Sequence, residues 1–263
     1  MAIGLLGSLY FIIIVLANTI GAISGMGGGV IIKPVFDLIG VHQVAEISFY
    51  AAVAVFVMSI VSTYRQVKNG VKIKWHFAAW VSIGAILGGF VGTLLLEWLI
   101  RRLPNEGYAQ MIQIVLTIMT LLFAFFYTKY NAPKFELHHL IWYMSCGFVL
   151  GSLASLLGIG GGPINVSLLM LLFSLPMKEA TVYSICTIFF SQLSKLVSIG
   201  FTSGFAIFDL RLLWFIIPAA IIGGFLGAKL SGILTGDKVA FVFQSVILLV
   251  LLINIYNGIL LIM

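Results

Sequence analysis

Long apolar stretches alternate with short polar connections along the whole 263-residue chain. A helix needs about 20 mainly apolar residues to cross a bilayer, and eight stretches approach or exceed that length. Two shorter pieces, at about 1.5 Å per residue, reach only half to two-thirds of the hydrocarbon thickness. The pattern predicts an all-α polytopic membrane protein. The long stretches cover residues 3–24, 45–64, 75–99, 108–129, 138–157, 179–199, 211–230 and 239–262, and the short ones cover 30–40 and 163–175.

Each short piece follows a glycine-rich interruption at the end of a long apolar stretch. Residues 25–29 (Gly-Met-Gly-Gly-Gly) form the first, called break 1, and residues 158–162 (Gly-Ile-Gly-Gly-Gly) form the second, called break 2. Backbone that leaves a helix inside lipid needs another polar partner. Paired interruptions in corresponding places of two halves are typical of a transporter's binding site.

The two halves resemble each other beyond the breaks. The sequence GAILGGFVG at 84–92 reappears as AAIIGGFLG at 219–227. We predict two membrane repeats, 1–131 and 132–263, each with about four full transmembrane helices and one glycine-broken half-helix. Gly84, Gly88 and Gly92 recur one turn apart, a spacing that lets helix backbones approach closely, and we expect them to be packing residues.

The charges of the loops favour one of two topologies. If both half-helices are re-entrant, the chain crosses eight times, and seven basic residues on one face oppose five on the other. If each half-helix completes a crossing, nine basic residues oppose only Arg101, Arg102 and Arg211. The second topology fits the positive-inside rule. It makes the two repeats inverted, as in many secondary transporters, and places both termini outside the cytoplasm.

Composition excludes several classes of function. Apolar residues make up 62% of the chain and charged residues 8%, whereas a soluble domain carries roughly 25% charged residues. The net charge of +6 lies mostly in short loops, so it predicts membrane orientation and not nucleic-acid binding. The first stretch is too long for a signal-peptide core and lacks a basic leader, so we expect it to be a retained helix.

Signals for enzymatic chemistry are lacking in the sequence. Neither break carries the lysine that a nucleotide phosphate would need, and no cluster of histidine, cysteine and carboxylate suggests a metal. Cys146 and Cys186 lie inside apolar stretches, where we expect them to be buried packing residues. We predict no enzyme activity, no cofactor and no metal.

Polar residues near the breaks predict an anion site. Successive glycine N–H groups can form an anion-binding concavity, and a half-helix that starts there adds its dipole. Proline is well suited to a first helical position. The alternative is that the glycines only allow tight helix crossing. The predicted binding residues are Gly27, Gly28, Gly29, Lys33, Ser48, Gly160, Gly161, Gly162, Pro163, Asn165, Ser184, Gln192 and Lys195.

Several of these polar residues have alternative roles. Lys195 lies near the predicted end of its helix, so its ammonium group could extend to the membrane interface and not to a substrate. Serines and threonines with a three-to-four residue period, from Thr181 to Ser191, could line a cavity or hold helices together. Glu46 and Glu179 lie at helix starts, where capping is a better interpretation than proton relay.

The paired breaks resemble the duplicated signature of the sulfite exporter TauE/SafE family, since each follows an apolar helix and precedes a short one. The segment 68–75 (KNGVKIKW) and the glycine-rich helix after it match the pattern too. The resemblance covers nearly the whole chain. It implies a secondary permease for anions, typically sulfite, sulfoacetate, other organosulfonates and small sulfur compounds. Break 1 lacks the proline that follows break 2, so the two half-sites are expected to differ.

The function expected from these patterns is secondary transport of a small anion by alternating access around the breaks. The expected partners are a small anionic substrate and the lipid bilayer, with a proton as coupling ion. An anion channel, a permease for a non-sulfur organic anion and a structural membrane component are the alternatives. We expect a multi-pass protein of a bacterial or archaeal cell membrane. The anion, the direction of transport and the oligomeric state stay open.

Overall fold

The chain forms ten α-helices in a computed structural model that describes residues 3–68, 74–130 and 134–262. Within these residues no strand occurs, and seven helices are long and apolar enough to cross a membrane. The helices are α1 Ile3–Ser24, α2 Gly29–Ile39, α3 Val44–Lys68, α4 Trp75–Arg102, α5 Glu106–Lys129, α6 Leu140–Leu156, α7 Pro163–Phe173, α8 Met177–Thr202, α9 Leu213–Ile233 and α10 Gly236–Ile262, with a 3-10 turn at Leu210–Leu212 before α9.

The half-helices predicted from the two short apolar pieces are confirmed. Both α2 and α7 have 11 residues; α2 begins at Gly29, the last residue of break 1, and α7 begins at Pro163, directly after break 2. Pro163 occupies the first turn of α7, as expected. Both end at a residue in the left-handed conformation, Gly40 with φ 66° and Ser174 with φ 53°. The helix before break 2, α6, is shorter than its apolar stretch, at 17 residues.

Glycines join helices from different halves, which confirms their role in packing. A Cβ atom on Gly84 or Gly88 of α4 would overlap the backbone of α6 at Met144 or Phe148. On α9, a Cβ atom on Gly227 would overlap the Thr19 carbonyl of α1. Small residues thus let α4 lie against α6 and α9 against α1 at backbone contact. The first helix of each half packs on the fourth helix of the other.

One end of the bundle, which we call the arginine end, carries Arg101, Arg102 and Arg211. Three hydrogen bonds hold its connections together. The Val44 amide donates to the Glu106 carboxylate at 3.1 Å, the Thr202 hydroxyl to Glu97 at 2.8 Å, and the Tyr50 hydroxyl to the Asp209 carbonyl at 3.4 Å. The start of α3, the end of α4 and the end of α8 therefore lie together.

The opposite end, which we call the lysine end, contains the starts of α4 and α8. The Lys74 amide donates to the Tyr183 hydroxyl at 2.8 Å. The last turn of α7 lies here too, because the Phe135 amide donates to the Leu171 carbonyl at 2.7 Å. The half-helices α2 and α7 thus end at opposite ends of the bundle.

Of the other predictions, two are confirmed and two concern residues that the structure does not describe. Cys146 and Cys186 are buried and free, as expected. Glu46 caps α3, because its carboxylate accepts from the Gln43 amide at 3.1 Å. Most of the segment 68–75 and the repeat boundary at 131/132 lie outside the described residues.

Candidate functional site

Break 1 and break 2 touch each other. A Cβ atom on Gly29 would overlap the Ile159 carbonyl oxygen, and a Cβ atom on Gly161 would lie 3.2 Å from the Met26 carbonyl oxygen. Five glycines of the breaks have backbone conformations that L side chains rarely adopt, namely Gly25, Gly27, Gly158, Gly160 and Gly161. Helices α2 and α7 consequently begin close to each other inside the bundle.

Some of the glycine N–H groups predicted to bind an anion already have partners. The Gly27 amide donates to the Gly21 carbonyl at 3.3 Å, and the Gly160 amide donates to the Ala154 carbonyl at 3.2 Å. These equivalent bonds close the last turns of α1 and α6, as helix C-terminal motifs do. In this conformation the amides of Gly28, Gly29, Gly161 and Gly162 are the better candidates for an anion.

Lys195 is buried at 1% exposure and does not extend to the interface. Its ammonium donates to the Ser48 hydroxyl at 2.5 Å and to the Ser155 carbonyl at 3.2 Å. Since α8 continues to Thr202, the side chain starts about two turns before the helix end. Among the described residues, no carboxylate forms an ion pair with it.

Lys33 lies in the same cluster. A Cβ atom on Gly158 would lie 2.8 Å from the Ser48 hydroxyl and 3.4 Å from Cε of Lys33. Gly158 therefore lies beside both Lys33 and the serine that accepts the hydrogen bond from Lys195. Lys33 forms a buried ion pair with Asp37 at 2.7 Å. Three predicted residues are thus brought together. We call Lys33, Ser48 and Lys195 the lysine cluster.

The other predicted polar side chains form no hydrogen bond with Lys33, Ser48 or Lys195. The Ser184 hydroxyl donates to the Gly25 carbonyl at 2.6 Å, so it holds α8 against break 1. The Gln192 amide lies beside Gly160, and its side-chain oxygen has no hydrogen-bond partner. Asn165, in the first turn of α7, is buried with both of its polar side-chain atoms unpartnered. Buried amides normally find partners, so these two are candidates to bind a ligand.

Two apolar side chains fill the space where the breaks meet, and we call Val55 and Ile188 the apolar pair. A Cβ atom on Gly27 would lie 3.3 Å from each of them. Val55 also faces Gly160, and Ile188 faces Gly161. Each lies seven residues, or about 10 Å of helix, from the lysine cluster, measured from Ser48 on α3 and from Lys195 on α8. The apolar pair therefore separates that cluster from the lysine end.

A pocket of about 60 Å³ reaches the cluster from the arginine end. Its inner wall contains Ser48 and Lys195, and its mouth contains Glu97 and Ser203. Hydrogen bonds from Thr202 and Ser203 to Glu97 narrow the mouth. Nearby, the Arg211 side chain hydrogen-bonds Asp209 and holds the pKa of that carboxyl below its ordinary value.

Comparison with known proteins agrees with this architecture. The family model described as sulfite exporter TauE/SafE matches residues 10–254. The chain belongs to this family. It is therefore a multi-pass membrane transporter of the TauE/SafE family, and not a member of an enzyme family. No solved structure matches it.

Two relatives of this TauE/SafE chain carry transporter names. The probable membrane transporter protein YunE of Bacillus subtilis is 35% identical over 118 residues, which cover 44% of this chain and 41% of the relative. A probable membrane transporter protein of Methanocaldococcus jannaschii is 26% identical over 202 residues, which cover 74% of this chain and 72% of the relative.

Sequence reasoning missed several residues of this TauE/SafE site. Asp37 stood one helical turn from Lys33, a spacing that predicts their ion pair. Ser155 contributes only a backbone carbonyl, and the apolar pair looks like any other position in an apolar helix, so the sequence carries no signal for them.

Proposed function

We propose that the chain is a secondary transporter of small anions, with sulfite or an organosulfonate as substrate. The observation that carries this proposal is Lys195, a buried ammonium that pairs with no carboxylate in the described part of the chain. A charge inside a membrane-spanning helix is costly and marks a functional site by default. The Ser48 hydroxyl and the Ser155 carbonyl accept hydrogen bonds from two of its three N–H groups without neutralising its charge, whereas a bound anion would accept a hydrogen bond and neutralise the charge.

The neighbourhood of Lys195 suits a sulfur oxyanion. Lys33 adds a second cation and Ser48 adds a hydroxyl. The N-termini of α2 and α7 lie farther in, where the two breaks meet. A sulfite or sulfonate group has three oxygens, which need several donors from different directions. The unpartnered side-chain amide of Asn165, in the first turn of α7, adds a further available donor.

Alternating access is supported by the positions of the pocket and the apolar pair. The pocket leads from the arginine end to Lys195, while Val55 and Ile188 close the path beyond it. Transport requires the apolar pair to move apart while the mouth of the pocket at the arginine end closes. The proposed inversion of the two halves would allow this exchange, because inverted repeats can swap conformations.

The contacts at the two ends support inversion and a crossing by each half-helix. The ten-crossing topology requires Arg101 and Arg211 to share a face and Lys74 and Lys178 to share the other. The hydrogen bonds of Thr202 with Glu97 and of Lys74 with Tyr183 agree with both requirements. The eight-crossing topology would separate the partners of each bond by the membrane.

Replacing Lys195 with methionine tests the site. Met keeps an apolar chain of similar length, so folding should survive, since a buried charge can often be replaced by an apolar group. Loss of a charge-assisted hydrogen bond, about 1.5–3 kcal/mol, should weaken sulfite binding roughly 10- to 100-fold. The measurements are calorimetric binding by the purified protein and saturable flux into proteoliposomes.

Lys229→Met, which removes an exposed lysine from α9, is the matched control and should bind normally. Equal sulfite binding and flux in both variants would overturn the proposed site. Binding of a carboxylate but of no sulfur anion would reassign the substrate class. Single-channel currents in planar bilayers would identify a channel in place of a carrier.

A further inference from the structure

The buried charges around the candidate site do not balance. Lys33 and Lys195 are 3% and 1% exposed, and the side chain of Asp37 is 2% exposed. Two ammonium groups thus face one carboxylate, which leaves one net positive charge in the cluster. Uncompensated charge in a membrane interior is unfavourable, so the occupied site should be close to neutral.

Asp37 supplies the carboxylate that offsets one of the two lysine charges. One of its carboxylate oxygens accepts from Lys33 at 2.7 Å, whereas Oδ1 is buried without a hydrogen-bond partner. A substrate anion that binds Lys33 competes directly with this carboxylate. Once displaced, Asp37 would be a buried and unpaired charge, and taking up a proton removes that charge.

Among the described residues, the ionisable groups around this end of α2 come from α1, the α2–α3 turn, α3 and α8. They are Tyr10, His42, Glu46, Tyr50 and Lys195. Glu106 and Asp209 lie farther out, where they hydrogen-bond Val44 and Tyr50 of α3. His42 and Glu46 lie 3.3 Å apart and pair with each other. From α10, the uncharged Asn257 donates to the Pro34 carbonyl. Asp37 is therefore the carboxylate paired with the lysine cluster.

We infer that Asp37 is the protonation site that matches proton movement to the charge of the transported anion. With Asp37 ionised, a monoanion neutralises the cluster without a proton. A dianion neutralises it only when Asp37 becomes protonated, because the two lysines then balance both of its charges. The proton comes from the aqueous phase and binds a carboxylate oxygen, so one dianion moves together with one proton. This inference rests on the proposed anion site.

Two anions of similar size and different charge test the inference. Sulfoacetate carries two negative charges at neutral pH, and isethionate, which has a hydroxymethyl group in place of the carboxylate, carries one. Proteoliposomes with a clamped membrane potential and an internal pH dye report proton entry with each anion. The wild-type protein should take up about one proton per sulfoacetate and about none per isethionate.

Asp37→Asn should abolish the proton flux that accompanies sulfoacetate while sulfoacetate still binds, since the two lysines stay unopposed. Asp237→Asn, which removes an exposed carboxylate from α10, should behave as the wild type. Unchanged proton flux in Asp37→Asn, or equal proton flux with both anions in the wild type, would overturn the inference but leave the transport proposal intact. Binding of neither anion to the wild type would overturn both.

Discussion

At the scale of single residues, the structure assigns the apolar pair a position that its chemistry alone did not suggest. Val55 and Ile188 are aliphatic residues in apolar helices, yet both contact the glycines of the breaks. They lie between the lysine cluster and the lysine end. A hydrated anion cannot pass two packed aliphatic side chains without displacing them, because that environment offers no polar partner.

Ile188→Ala should therefore increase passive anion leak. The truncation also leaves a cavity, which should lower the free energy of unfolding by about 2–5 kcal/mol. The measurements are sulfite efflux from preloaded proteoliposomes and thermal unfolding in detergent. Ile221→Ala, at a side chain that is 45% exposed, should change neither strongly. A destabilised Ile188→Ala protein with no added leak would show that the apolar pair only fills space.

At the scale of elements, the glycine-lined contacts between α4 and α6 and between α1 and α9 connect the halves. A Cβ atom on Gly88 would overlap the Phe148 carbonyl oxygen, which belongs to helix backbone and cannot rotate away. Without a hydrophobic driving force between helices in lipid, such close approach supplies much of the packing energy. These contacts fix the scaffold against which the breaks are held.

Gly88→Ala should destabilise the protein through overpacking by about 1–3 kcal/mol. Gly4→Ala places the same methyl group on a helical glycine of α1 with no atom within 4 Å, so it should be neutral or slightly stabilising. Thermal unfolding in detergent compares the two. Equal midpoints would contradict the tight α4–α6 contact.

At the scale of the whole molecule, the proposed inversion predicts where two turns lie. The α2–α3 turn should face the outside and the α7–α8 turn the cytoplasm. The eight-crossing alternative puts both turns on the same face. This difference separates the topologies without reference to transport.

The measurement uses two variants, each with one added cysteine, at Val41 or at Lys178. Both positions are exposed. A membrane-impermeant thiol reagent added to intact cells should label Val41→Cys and leave Lys178→Cys unlabelled until the membrane is opened. The wild-type protein is the background control, because Cys146 and Cys186 are buried. Labelling of both variants from one side would rule out inversion.

The sequence by itself determined the class of the protein, its helices and the positions of the breaks. Hydropathy and glycine content are local properties, and a lipid environment forces an apolar stretch of sufficient length to become a helix. The repeat of the breaks and the family signature followed from the same local patterns. For the same reason, Pro163 could be placed at the first turn of α7 before any contact was known.

Only the tertiary structure decided which side chains meet. Lys195 and Ser48 lie 147 residues apart in the chain, and their hydrogen bond depends on how α3 and α8 pack. An apolar sequence does not reveal which face of its helix is buried, so the apolar pair gave no signal. The engaged amides of Gly27 and Gly160 likewise depend on how α1 and α6 end. Contacts distant in sequence arise from packing, which local patterns do not encode.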